Sequence, residues 1–308
     1  MTEFDLNEYR DHLFVVSFSG GKDSVATWLH LERDLGLRVR CLYADTGWES
    51  DELYPYLDLL ESAHRCPLVR VKPKIRHIWK GNPPARIARE LWDQTLDMRQ
   101  LVQIKGRPPS PTKRFCTTIL KLRPIHEYIQ SLAEPIVMAS GVRAQESTKR
   151  AAMALWGHDD FMDRMRWLPI HGWPVEEVFA IHHLYRVPIN PLYLQGCSRV
   201  GCFPCVLASK ADIAVVAKDK SARERVIELE YVTGQTFFSR KTTAQKFRSK
   251  SDPKTGKRIN TAEDVFRWAL GESPAYAADG LFADQEAPLD YGDDMEAEAC
   301  SSVYGLCE

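Results

Sequence analysis

No apolar run in the chain approaches the roughly 18 residues that a membrane-spanning helix needs. The opening MTEFDLNEYRDH lacks the basic and apolar stretches of a secretory leader. Both absences predict a cytosolic protein with no membrane partner. Neither sign of charge dominates: 41 Lys and Arg against 42 Asp and Glu leave a formal net charge of −1. No global field therefore draws the chain to nucleic acid or membrane, and any such contact rests on local patches. There is no internal repeat. Two familiar phosphate motifs are missing as well. Val16 stands where a Walker loop needs its first glycine and Asp23 follows the lysine, while the adjacent Gly20 and Gly21 cannot make the spaced dinucleotide fingerprint.

What is present begins with length: 308 residues with 44% hydrophobic content bury a real core in one large domain, or in a domain with a smaller appendage. Leu13 to Val16, Arg38 to Ala44, Pro67 to Val71 and Pro135 to Ala139 read as strands; Val25 to Leu29, Asp51 to His64 and Lys121 to Ala133 read as helices. This alternation predicts an α/β fold, a doubly wound and mostly parallel sheet covered on both faces, with ligands beyond the carboxyl ends of its strands. The Pro- and Gly-rich stretch Ile104 to Lys113 reads as a loop. Beyond Cys205 the pattern turns helical. The expected organisation is residues 1–207 as the nucleotide-binding part with a cysteine loop, 208–272 as a helical basic extension and 273–308 as an acidic tail. From Ser273 onward Lys and Arg are absent, so the tail is expected to be disordered or loosely docked. The extension contains the basic run Arg240 to Arg258, which reads either as a solvated surface or as a contact for phosphate backbones.

The strand-turn-helix VVSFSGGKDS (Val15 to Ser24) is the most pointed chemistry. Gly20 and Gly21 let backbone N–H groups approach an anion, Ser17, Ser19 and Ser24 bring hydroxyls, and Lys22 brings charge at the positive end of a helix. Asp23 would repel a bare phosphate, which makes sense if a divalent ion such as Mg2+ bridges the two. Asp45 and Thr46 end the second strand in YADTGWE, and Gly141, Arg143 and Arg150 follow a later strand in GVRAQESTKR. An arginine there can hold phosphate or sulfate oxygens in a fork. Glu146 and Arg150 can equally form a surface pair at helical spacing.

S-G-G-K-D-S after the first strand resembles the PP-loop of the N-type ATP pyrophosphatases, which implies ATP cleaved between its α and β phosphates. D-T-G-x-E and G-x-R-x-x-E-S-x-x-R resemble elements of the phosphoadenosine-phosphosulfate reductase branch of that superfamily, which places Asp45, Thr46, Gly141, Arg143 and Arg150 around the nucleotide.

Of eight cysteines, Cys197, Cys202 and Cys205 form C-x4-C-x2-C, with Cys116 as the candidate fourth ligand. In a reducing compartment such thiols read as metal ligands rather than disulfides. Spacing alone leaves zinc and an iron-sulfur cluster open. The pattern resembles the assimilatory adenylylsulfate reductases, which carry a 4Fe-4S cluster, although Thr117 replaces their second tandem cysteine and Cys197 is supplied instead. The combination is more similar to the sulfur-modification ATPases of the superfamily, those of DNA phosphorothioation among them. That resemblance favours a 4Fe-4S cluster over zinc, with Lys121 near it. Cys41 and Cys66 read as buried structural thiols.

These resemblances imply an ATP pyrophosphatase in which Lys22, Asp23 and Arg143 activate a substrate by adenylylation, for sulfur transfer or nucleic-acid modification. Two alternatives stand beside it. One is reduction of a sulfonucleotide, which would need Cys300 or Cys307 as nucleophile although neither matches the reductases' Glu-Cys-Gly segment; the other is a nucleotide-dependent binding component of a modification or defence assembly. The sequence leaves the AMP acceptor open between nucleic acid and a sulfur-donor protein, and leaves self-association open.

Overall fold

The computed structural model describes residues 5–238 and 262–271. The basic run Arg240 to Arg258, Cys300, Cys307 and the acidic tail lie outside the described residues. Strands β1 (Leu13–Phe18), β2 (Val39–Ala44), β3 (Leu68–Val71), β4 (Ile136–Ala139), β5 (Trp156–Asp159) and β6 (Arg164–Trp167) form a six-stranded sheet in the order β3-β2-β1-β4-β6-β5. All neighbours run parallel except the β5–β6 hairpin at one edge.

The expected doubly wound, mostly parallel sheet is therefore present, and its cause is visible in β1. Every residue of LFVVSF is buried. Phe14, Val16 and Phe18 point into the larger core cluster, whereas Leu13 and Val15 point into a second cluster with Leu42, Ile136 and Met138. A strand covered on both faces needs a continuous apolar run, and this one has it.

Between the strands lie α1 (Lys22–Leu29), α2 (Leu53–His64), α3 (Met98–Lys105), α4 (Arg123–Gln130), α5 (Thr148–Ala151), α6 (Val175–Leu184) and α7 (Pro191–Leu194). The helices α8 (Lys210–Lys218), α9 (Lys220–Thr233) and α10 (Ala262–Leu270) follow. They form the helical C-terminal region, and Val216, Leu229 and Phe266 share the core cluster of Val16.

Three details differ from the sequence reading. The helix expected from Lys121 is split: Thr117–Leu122 is a wide turn, and regular α4 starts where Pro124, lacking an N–H, fits a first turn. The Pro-rich loop starts only at Gly106, because Asp97 and Gln100 cap α3 reciprocally and the helix runs to Lys105. The β5–β6 hairpin was not expected, because RMRW at β6 is half-buried throughout and carries an arginine at every second position.

In this strand order β1 continues to β2 on one side and lies against β4 on the other. The connections leave β1 and β4 in opposite directions, opening a crevice beyond their carboxyl ends. Gly20 follows β1 and Gly141 follows β4, so both motifs open onto that crevice.

Candidate nucleotide site and cysteine cavity

The loop after β1 turns at Gly20, whose φ of +74° is left-handed and favours glycine. Its hydroxyls stitch it shut. Gly21 N–H donates to Ser19 Oγ (3.2 Å), Ser19 N–H donates to Ser24 Oγ (3.3 Å), and Ser24 Oγ donates to the Gly21 carbonyl (2.9 Å). Ser17 Oγ is buried beneath the loop with no hydrogen-bond partner.

Asp23 is fully buried, and both of its oxygens are engaged: Oδ2 with Lys22 Nζ at 2.6 Å and Oδ1 with Arg143 Nε at 2.6 Å. A buried charge persists only when paired, and here two cations share one carboxylate. Each oxygen of Asp23 thus already faces one cation, and the carboxylate anchors Lys22 and Arg143 beside the loop. Gly141 explains how β4 can come so close: a Cβ there would stand 2.8 Å from the backbone carbonyl of Asp23 and 3.0 Å from Thr27 Oγ1. Its role is packing against the first turn of α1.

Arg143 is itself buried and also donates to Gln145 Oε1 at 2.8 Å. Arg150 forms the ion pair with Glu146 that helical spacing allows, and its carbonyl faces His171 Nε2 at 2.8 Å. The structure therefore brings Ser17, Ser19, Gly20, Gly21, Lys22, Asp23, Ser24, Gly141 and Arg143 together, while Arg150 is engaged by Glu146 of the preceding turn.

Three side chains that the sequence reading did not place at the loop support it from behind. His182 Nε2 faces the Lys22 carbonyl at 2.9 Å, Asn190 Nδ2 donates to the Gly20 carbonyl at 3.3 Å, and the Lys22 N–H donates to Tyr193 Oη at 3.2 Å. Burial pushes the His182 imidazole below its ordinary range, against the pull of the Lys22 and Val187 carbonyls and of Asp23. They come from 160 to 171 residues along the chain, so no local pattern marks them.

Beyond β2, Asp45 accepts from Tyr54 Oη (2.9 Å) and Gly47 N–H (3.1 Å), and Lys72 Nζ lies 3.4 Å away. Thr46 donates to the buried Glu49 at 2.7 Å and stands 4.0 Å from Cys202 Sγ. Burial raises the Glu49 carboxyl above its usual range, opposed by the Lys121 ammonium and the Thr46 hydroxyl. This turn is bolted to the cysteine loop. Phe203 N–H donates to the Trp48 carbonyl (2.7 Å), Trp48 Nε1 donates to the Pro204 carbonyl (3.0 Å), and Glu49 pairs with Cys202 as an isolated antiparallel bridge.

Cys116, Cys202 and Cys205 line one cavity together with Thr46, Lys121 and Phe237, and Cys197 lines an adjoining one with Cys202 and Cys205. All are free thiols. Burial, reinforced by Asp212, pushes the Cys197 thiol up to about 12. A single zinc ion needs its thiolates about 2.3 Å from one point. Among the described residues no three Cys, His, Asp or Glu side chains converge in that way. A single-ion site of the zinc kind, the less favoured expectation, is therefore not formed among the described residues; Cys202 and Cys205 are shared by both cavities, with Cys116 in one and Cys197 in the other. Cys41 and Cys66 are buried in the core as expected, and burial, then the Cys66 neighbour, raises the Cys41 thiol.

A mostly parallel sheet that brings a glycine turn, a helix amino end and two carboxylate-paired cations to its switch-point crevice defines a doubly wound α/β protein with its candidate site where such folds bind ligands. The chain belongs to the phosphoadenosine phosphosulfate reductase domain family, whose model matches residues 13–208. An uncharacterized 37.8 kDa protein of Escherichia phage 186 is 32% identical and covers 96% of both chains. The adenosine 5'-phosphosulfate reductase of Allochromatium vinosum is 32% identical over 64% of this chain and 69% of its own length. The solved phosphoadenylyl-sulfate reductase from Candida auris, a phosphate complex, has a TM-score of 0.42 and 16% identity, covering 62% of this chain and 81% of that one. No helix among the described residues is long and apolar enough to cross a membrane.

Proposed function

We propose that the chain is an ATP pyrophosphatase that adenylylates a substrate. The observation that carries this reading is the placement of Lys22 and Arg143 on the two oxygens of one buried carboxylate, beside the glycine turn of Gly20 and Gly21. In-line transfer at phosphorus depends mainly on positioning and charge neutralisation, which fixed cations supply without reorganisation. The acceptor's nucleophile forms a bond to the α-phosphorus, the bond from that phosphorus to the bridging oxygen breaks, and pyrophosphate leaves with the electron pair. Gly20, Gly21 and Ser24 hold the departing pyrophosphate and Lys22 screens it, while Arg143 faces the α-phosphate. Magnesium would enter with the nucleotide, held by its phosphates. Cys116, Cys202 and Cys205, with Cys197 on the adjoining wall, would hold a 4Fe-4S cluster, which when bound supplies one-electron or sulfur chemistry. Lys121 and Glu49 border that wall.

The test is product analysis of the purified chain with ATP. AMP and pyrophosphate are expected, with turnover reduced at least about a hundredfold in Lys22→Ala, the size typical of losing one transition-state charge partner. ADP and phosphate would reject the reading. The relatives named as adenosine 5'-phosphosulfate reductases favour a second one, sulfonucleotide reduction. It requires Cys300 or Cys307, so absence of reductive turnover of a sulfonucleotide by the unaltered chain supplied with a thiol reductant rejects it.

A further inference from the structure

Resting on the phosphate-loop reading, we propose that the Tyr193 hydroxyl is a placeholder for a phosphate oxygen, and that its displacement carries nucleotide binding to the cysteine loop. The Lys22 N–H opens α1, where an incoming phosphate finds its donors. That donor is already engaged, because Tyr193 Oη accepts it at 3.2 Å. One N–H makes one strong hydrogen bond, so phosphate and tyrosine compete for it. The same ring lies 5.4 Å from Lys22 Nζ, so Tyr193 stands in for an anion toward both the amide and the ammonium. Ser17 Oγ, next to the last residue of β1 and directly before the loop, is buried without a hydrogen-bond partner among the described residues, which leaves a hydroxyl for a ligand at the strand's carboxyl end.

The tyrosine sits on a short segment with one anchored and one open side. Its helix α7 has four residues, with Leu192 buried in the core and Leu194 79% exposed, so the helix can turn about Leu192 with little burial lost on the Leu194 side. Gly196, at a φ of +100°, links it to Cys197. The cysteine hangs from this short helix by its backbone: Gly196 N–H donates to the Tyr193 carbonyl at 3.1 Å and Cys197 N–H to the Leu192 carbonyl at 3.0 Å. Asn190 caps α7 through the Leu192 N–H (3.0 Å) while donating to the Gly20 carbonyl, so it ties the segment to the loop at a second point and serves as its pivot. Releasing Tyr193 therefore loosens the bonds that fix Cys197, although the thiol itself touches no phosphate.

The competition gives an unusual expectation: removing a polar group from a binding site tightens it. Calorimetric titration with inorganic pyrophosphate should show Tyr193→Phe binding about two- to tenfold more tightly than the unaltered chain, the span of one ordinary hydrogen bond. Hydrogen exchange on the unaltered chain supplies a readout that needs no variant. Saturating pyrophosphate should slow exchange at residues 19–24 and speed it about tenfold at Gly196 and Cys197, whereas Tyr193→Phe should exchange fast there without ligand. Equal or weaker binding by the variant overturns the placeholder. Protection at 19–24 with no change at Cys197 overturns the coupling. Absence of pyrophosphate binding in both proteins overturns the phosphate-loop reading itself, and this proposal with it.

Discussion

Single residues at the crevice do their work through burial. His182 is 3% exposed, and both of its ring nitrogens face carbonyl oxygens, of Lys22 at 2.9 Å and of Val187 at 3.2 Å. A neutral ring has one N–H, and the shorter contact assigns it to Nε2, which then donates to Lys22 and steadies the first turn of α1. Because burial depresses the folded imidazole below its unfolded value of 6.5, the unfolded chain binds protons first as pH falls. Its contribution to stability is complete above that value and is lost as pH drops toward the folded one. His77, also lowered by burial, acts in the same sense. The thermal midpoint should therefore decline between about pH 7 and 5.5, and His182→Asn should flatten part of that decline. Identical slopes in the two proteins would show that His182 does not titrate across unfolding. At this scale the sequence showed the contiguous half of the site and hid the rest. Ser19 to Ser24 can be read because the chain supplies them together. Tyr193 and Asn190 cannot, because tertiary folding alone brings them to the loop. Asp23 was legible as an anion among phosphate donors, but not as the anchor of an arginine 120 residues away.

At the scale of elements, the turn after β2, the cysteine loop and α9 are fastened by one side chain. Arg225 donates from both Nη atoms to the Glu49 carbonyl at 3.2 Å and from Nη2 to the Phe203 carbonyl at 3.4 Å, with its guanidinium 5.2 Å from the Trp48 ring. The helix lies beyond the segment that defines the family, yet it fixes two loops that carry the family's motifs. Arg225→Met keeps the aliphatic stem and removes the fork. It should cost about 2 kcal/mol in urea unfolding and raise alkylation of Cys202, while Cys41 and Cys66, buried in the core, stay protected. A parallel rise at all of these thiols would mean general loosening rather than a clamp. Strands β1 and β4 were legible because they are buried throughout and nearly all apolar, and β2 and β3 because apolar residues flank the single arginine of each. The β5–β6 hairpin was not, since WGHD and RMRW are short, largely half-buried and polar at alternate positions, and leave no apolar run to read.

Over the whole molecule, the helical C-terminal region is continuous with the sheet rather than appended to it. Trp48 packs on Phe237 at 5.8 Å, Phe237 on Phe238 at 5.3 Å, and Phe238 on Phe266 of α10 at 5.8 Å. This aromatic path starts at the turn after β2, passes the wall of the cysteine cavity at Phe237, and ends in the helices. Aromatic pairs add about 0.5–1.5 kcal/mol each beyond the area they bury, so separating the helices from the sheet forfeits several contacts at once. The sequence showed a change from alternating to helical pattern after Cys205, but a change of pattern does not reveal whether the cores merge. That depends on which faces meet, and Phe237 and Trp48 are far apart in the chain. A merged core unfolds as one unit. Tryptophan fluorescence, which samples Trp28 and Trp48 beside the sheet and Trp268 in α10, should lose its native signal at the same urea concentration as far-ultraviolet circular dichroism. Two separate midpoints would show that the helices fold and unfold on their own, and that the cavity wall at Phe237 can open while the phosphate loop stays intact.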